Sequence, residues 1–210
     1  KISFHALAHL RDQYCLLHSG GALGRGCGPL VVAKGGVAPG QLRHKKIAIP
    51  GQLTTAALLL RLFDAEISRL DVMPFDKIIG ATARGEVDAG VIIHESRFTY
   101  PAYGLEKVID LGEWWEQSTG HPIPLGGILA RRSLGAELIG RIDRALAQSV
   151  EYAHAHPEAV RGYIRAHAQE MDEAVMQAHI DLYVNEYTLD YGAVGAAAIF
   201  DLIARAEGAG

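Results

Sequence analysis

Apolar side chains in this chain recur at two spacings, and the changes between them mark out its elements. Residues 1–4 read as the end of a strand. Leu7, Leu10, Tyr14 and Leu17 then fall at helical spacing, with Gly20-Gly21 as the stop. A glycine-rich loop is predicted at 22–28, strands at 29–33 and 45–49, and a turn at 35–40 between them. Ala56, Leu59, Leu60, Phe63, Ile67 and Leu70 make one face of the next predicted helix. A short strand at 72–75 and a helix at 77–84 follow, with Gly85 placed as the helix C-cap. The unbroken apolar run at 89–93 predicts a strand buried on both faces. Two more strands are predicted at 107–111 and 123–130, with a short helix around Trp114-Trp115 between them. From Ala136 the pattern is helical: Leu138, Ile142, Ala145, Ser149 and Ala153 share a face, Pro157 opens a second helix, Asp172 caps a third, and a fourth spans 193–207.

Strands alternating with helices, then a helical tail, predict an α/β protein with a parallel or mixed sheet. Periodicity alone does not establish two lobes. The 49% apolar and 21% charged content is that of an ordinary soluble globular protein. Net charge is −4 and the basic residues are scattered, which argues against a nucleic-acid partner. Nothing approaches the ~18 consecutive apolar residues of a membrane span, and no signal-peptide pattern opens the sequence. Cys15 and Cys27 are expected as reduced thiols of a cytoplasmic protein.

Two stretches carry candidate chemistry. The strand at 45–49 ends in Pro50-Gly51, with Thr54-Thr55 where the next helix begins. Free backbone N–H groups, the helix dipole and threonine hydroxyls there suit a carboxylate or phosphate; the alternative is an ordinary N-cap. His94 closes the buried run 91–93, at the strand end where ligands collect in open α/β sheets. An imidazole there serves as a base near neutral pH or is a structural core histidine.

No metal is expected at His94-Glu95, because a zincin pattern needs histidine four positions on and Phe98 stands there. Successive strand residues face opposite ways, so Glu95 is expected to pair with Arg97 or a neighbour. The glycine-rich segment follows a helix and precedes a strand, the wrong order for a nucleotide loop; its glycines are expected to permit positive φ and close approach to a ligand. Trp114 and Trp115 point about 100° apart on a helix, so at most one would face a site. His154, His156, His167 and His179 show no ligand spacing and read as solvated or partly buried surface, and Cys27 is the thiol to check as a nucleophile.

Several runs together carry a family resemblance: Ser19-Gly20-Gly21-Ala22-Leu23-Gly24-Arg25-Gly26, Ile49-Pro50-Gly51 with Thr54-Thr55-Ala56, Val91-Ile92-Ile93-His94-Glu95-Ser96-Arg97-Phe98-Thr99-Tyr100, Asp110-Leu111-Gly112-Glu113-Trp114-Trp115-Glu116, and Tyr183-Val184-Asn185. The chain resembles the 1,4-dihydroxy-6-naphthoate synthase family over nearly its whole length. That resemblance implies a two-lobe type II periplasmic-binding-protein-like fold, with mixed sheets flanked by helices, used inside the cell as a lyase. It implies conversion of cyclic dehypoxanthine futalosine to 1,4-dihydroxy-6-naphthoate in menaquinone biosynthesis, with no cofactor and no metal. His94 falls on the family's proton acceptor, and Lys1, Ile2, Ser3, Thr55 and Ala56 fall on its substrate-binding stretches.

The expected partner is therefore a small carboxylate substrate, not a membrane or nucleic acid, in a monomer or homodimer. The expected division is a first lobe of 1–44 and 131–210 and a second of 45–130. Family members carry a further N-terminal portion, so the first lobe is expected to be incomplete. A non-catalytic solute-binding protein and the sister chorismate dehydratase are the rival readings of the same fold.

Overall fold

The computed structural model describes residues 1–168 and 172–208. Its strands are β1 (Ile2–Ser3), β2 (Tyr14–Leu16), β3 (Ala22–Gly24), β4 (Leu30–Ala33), β5 (Ile47–Ile49), β6 (Leu70–Val72), β7 (Ala89–Ile92), β8 (Glu106–Asp110), β9 (Ile123–Gly127) and β10 (Leu129–Arg131). The helices are α1 (Phe4–Ala8), α2 (Thr55–Phe63), α3 (Phe75–Arg84), α4 (Ser96–Thr99), α5 (Leu111–Thr119), α6 (Ala136–Ala155), α7 (Pro157–His167), α8 (Glu173–Tyr183), α9 (Glu186–Leu189) and α10 (Gly192–Gly208).

A five-stranded mixed sheet runs β6-β5-β7-β4-β8. Its β5 pairs parallel with β6 and β7, and β4 pairs antiparallel with β7 and β8. Alternation along the central strands sorts their side chains between two cores. Val31, Ala33, Ile47, Ile49, Ala89 and Val91 face the core shared with α2 and the fully buried Trp115. Leu30, Val32, Ala48 and Ile92 face the one shared with Ile78 and Ile79 of α3. With both faces covered, β4 and β7 are apolar at almost every position.

A second, antiparallel sheet runs β1-β9-β3, and β2 pairs with β10. Helix α10 lies against α1 and β9. Asn185 Nδ2 donates to the Leu23 carbonyl at 3.0 Å, which ties the chain after α8 to β3. No helix among the described residues is long and apolar enough to cross a membrane.

Several expectations are corrected. The helix predicted from Leu7 to Leu17 ends at Ala8, and Tyr14–Leu16 is a strand because Leu129–Arg131, far along the chain, supplies its ladder. The predicted loop 22–28 begins with strand β3, paired to β9. Helix α2 stops at Phe63; Ile67 is buried from a connection and Leu70 opens β6, so the strand expected at 72–75 lies at 70–72. The single strand at 123–130 is two, β9 and β10, serving different sheets. Pairing also moves the division between the sheets: β4 joins the sheet of β5–β8, and β9 joins β1 and β3. The expected boundaries at 44/45 and 130/131 therefore differ from the strand pairing, which changes sheet within 24–30 and 110–123. Hydrogen bonding between distant strands, invisible to local periodicity, decides this.

Gly28 and Gly112 touch backbone to backbone where β4 meets the start of α5. A Cβ on Gly28 would fall 2.3 Å from Gly112 Cα. The close approach expected of this glycine segment is thus made here to protein backbone. Gly28→Ala is expected to cost about 1–3 kcal/mol, read as a lowered urea midpoint, because backbone has to move; an unchanged midpoint would refute the packing argument.

Candidate active site

Each wall of the site comes from a different part of the fold. The first is the start of α2. Thr54 caps it, accepting from Ala57 N at 3.2 Å while its hydroxyl donates to the Gly51 carbonyl at 2.7 Å. Thr55 is buried and its hydroxyl donates to the Leu125 carbonyl at 2.8 Å. Both hydroxyls are thus engaged by protein, which corrects the expectation that they add donors for an anion. The Thr55 and Ala56 N–H groups, first in the helix, have no intrahelical acceptor, and the helix dipole adds positive potential there.

The second wall is the turn after β7. His94 has φ 57°, the one positive φ outside glycine among the described residues. A bulky side chain in this left-handed region costs free energy and persists only where its surroundings hold it. Those surroundings are visible. Arg97 Nη1 donates to the Gly28 carbonyl at 2.6 Å, and Nη2 donates to Asp110 Oδ2 at 2.6 Å. Buried Asp110 also accepts from Gly112 N (2.9 Å) and Glu113 N (3.0 Å), capping α5. Arg97 is therefore spoken for, and the expected Glu95–Arg97 pair does not form.

The third wall is β1 with β9, and the fourth is α8. A cavity of about 410 Å³ is lined by Lys1, Ile2, Ser3, Thr55, Ala56 and His94, with Leu125 and Gly126 from β9 and His179 and Tyr183 from α8. All six residues singled out from the sequence thus surround one space, of a size that encloses a small organic ligand. A second cavity of about 420 Å³ lies beyond, lined by Phe75, Glu95, Tyr163, His167 and Met176 together with His94 and His179, which face both.

The electrostatics follow from this enclosure. His94 is exposed by area, but what it opens onto is cavity, with Phe75 at 5.0 Å edge-on and His179 at 6.1 Å between ring centroids. Loss of hydration lowers its pKa below the usual imidazole value, with Lys1 acting the same way and Glu95 opposing. His179 is lowered too, first by desolvation and then by His94. Desolvation likewise lowers Lys1 and raises Tyr183. One cavity is thus lined both by an imidazole biased towards its neutral form and by a helix start with open N–H groups.

Cys27 also lines the cavity, but burial pushes its thiol up to about 12, so it is not a thiolate nucleophile at neutral pH. Trp115 is wholly buried and donates to the Pro122 carbonyl at 3.2 Å, while Trp114 packs edge-on against Phe63. Neither tryptophan lines the cavity. His179 is partly buried, within its expectation, but its ring lines the cavity, which the sequence did not indicate. Its one local sign is the helical i, i+4 spacing to Tyr183, whose ring lies 4.5 Å away. His179 and Glu95 also answer the spacing argument against a metal: their ligand atoms and those of His94 lie within 4.8 Å of one another, the third group arriving from α8.

A sheet-and-helix framework closed around a cavity of this kind defines the periplasmic-binding-protein-like class. The periplasmic aliphatic sulphonate binding protein of Escherichia coli superposes with a TM-score of 0.61 at 14% identity, over 96% of this chain and 66% of that one, a likeness of fold alone. A crystal structure of a protein from Archaeoglobus fulgidus matches at TM-score 0.91 and 40% identity, over 99% of this chain and 77% of that one. The chain belongs to the menaquinone biosynthesis family, whose model matches residues 1–208. Two curated relatives named 1,4-dihydroxy-6-naphthoate synthase, from Thermus thermophilus and Streptomyces coelicolor, are 52% and 50% identical over all of this chain and 76% of their own lengths.

Proposed function

We propose that this chain is a lyase of menaquinone biosynthesis that forms 1,4-dihydroxy-6-naphthoate from cyclic dehypoxanthine futalosine. The observation that carries the reading is the meeting, in one cavity, of a neutral His94 held in a left-handed turn with the open start of α2. The Thr55 and Ala56 N–H groups grip the substrate carboxylate, and Lys1 adds positive charge on the facing wall. His94 removes a carbon-bound proton adjacent to a carbonyl. Elimination of the sugar-derived fragment then leaves an aromatic ring system, whose stabilisation drives the step without a change of redox state.

The protein's share is orientation, exclusion of water and stabilisation of developing charge. The unpaired thiols of Cys15 and Cys27 accord with a reducing, cytoplasmic setting. Incubation with cyclic dehypoxanthine futalosine should yield naphthoate detectable by mass. Stoichiometric binding without product would instead make the chain a solute-binding protein.

A pH dependence follows. The base must be neutral, and its pKa lies below the ordinary 6.5. Activity should therefore hold through neutral pH and fall on acidification, with kcat/KM halved at a pH below about 6.5. An acid limb centred above that value would contradict the desolvated environment of the ring.

A further inference from the structure

We propose that His94, Glu95 and His179 form a binding site for a divalent transition-metal ion of the zinc class, and that its occupancy switches the enzyme off. The binding half stands on geometry alone; the inhibitory half rests on His94 being the base.

Two imidazoles and a carboxylate lie with their ligand atoms within 4.8 Å of one another. In a tetrahedral site such atoms sit about 3.3 Å apart around an ion held at about 2.0–2.1 Å, so modest side-chain rotations complete the set. Three further observations favour an ion there. His179 Nε2 is buried and has no hydrogen-bond partner among the described residues, which is costly for a polar atom unless something binds it. Glu95 is not drawn away by Arg97, which is held by Asp110 and the Gly28 carbonyl. All three groups line the cavity of about 420 Å³ on the far side from Thr55, so an ion has an entry route and room for a water as fourth ligand. Nearby Lys1 opposes a cation, and the Glu95 carboxylate offsets it.

Imidazole nitrogen with carboxylate oxygen selects zinc, copper, nickel or cobalt over magnesium and calcium, which prefer all-oxygen shells. Coordination engages the lone pair His94 needs to accept a proton, so metal and catalysis exclude one another.

The test uses the whole chain, stripped with EDTA, dialysed, and titrated calorimetrically with zinc chloride. One equivalent should bind, Glu95→Gln and His179→Ala should each weaken binding by at least about tenfold, and magnesium should not compete. Cobalt(II) should give a visible spectrum that the two variants lose, with circular dichroism showing them folded. Absence of saturable zinc binding, or undiminished binding in His179→Ala, overturns the site. Naphthoate formation by the stripped enzyme should fall as zinc fills the site and return on adding EDTA. Full turnover at saturating zinc overturns the inhibitory role. A stripped enzyme that binds zinc yet never makes naphthoate leaves the site standing and removes the proposed function instead.

Discussion

Replacing His94 with alanine is expected to lower kcat by about 10²–10⁴-fold, the usual worth of a positioned general base. Ligand-induced thermal stabilisation should survive, because the α2 start and the Lys1 wall that bind the acid group are untouched. Alanine alone leaves an ambiguity, since residue 94 sits at φ 57° and a change there also alters backbone preference. Asparagine resolves it. Asparagine enters the left-handed region more readily than most residues but cannot take up a proton near neutral pH. His94→Asn should therefore keep wild-type stability and still lose turnover to the same degree. Turnover near the wild-type rate in either variant would remove His94 from the chemistry.

The largest effect on stability is expected from Asp110→Ala. One buried carboxylate holds the Arg97 guanidinium and caps α5 through two backbone N–H groups. Its loss strands a largely buried cation and opens the helix end together, and removal of one member of a buried pair costs about 3–5 kcal/mol. Asp110→Asn retains an acceptor for the cap while deleting the charge, so it should fall between wild type and alanine. Arg97, three residues beyond His94, also holds the Gly28 carbonyl. Both variants should accordingly lose turnover through a displaced His94 turn. Chemical denaturation gives the stabilities; an alanine variant within about 1 kcal/mol of wild type would show that the network contributes little.

Much of the frame is legible in the sequence. The run 89–93 announced a doubly buried strand because both its faces are covered, and α2, α6 and α10 follow from helical periodicity. Gly85 ends α3 at φ 77°, as its position predicted. Illegible were elements whose partners lie far away. Tyr14–Leu16 carries helical spacing yet is a strand, because Leu129–Arg131 pairs with it. Arg97 finds Asp110 rather than Glu95, and His179 finds His94, only after the chain has folded back.

By itself, then, the sequence determined what depends on neighbours a few residues apart: the helices, the buried central strand, the threonine cap and the imidazole beyond a strand end. Tertiary structure decided which strands share a sheet, where the threonine hydroxyls are used, and that two histidines and a glutamate meet across a cavity. Short-range periodicity records which face of an element is buried, whereas what lies against that face is set by contacts between residues far apart in the chain.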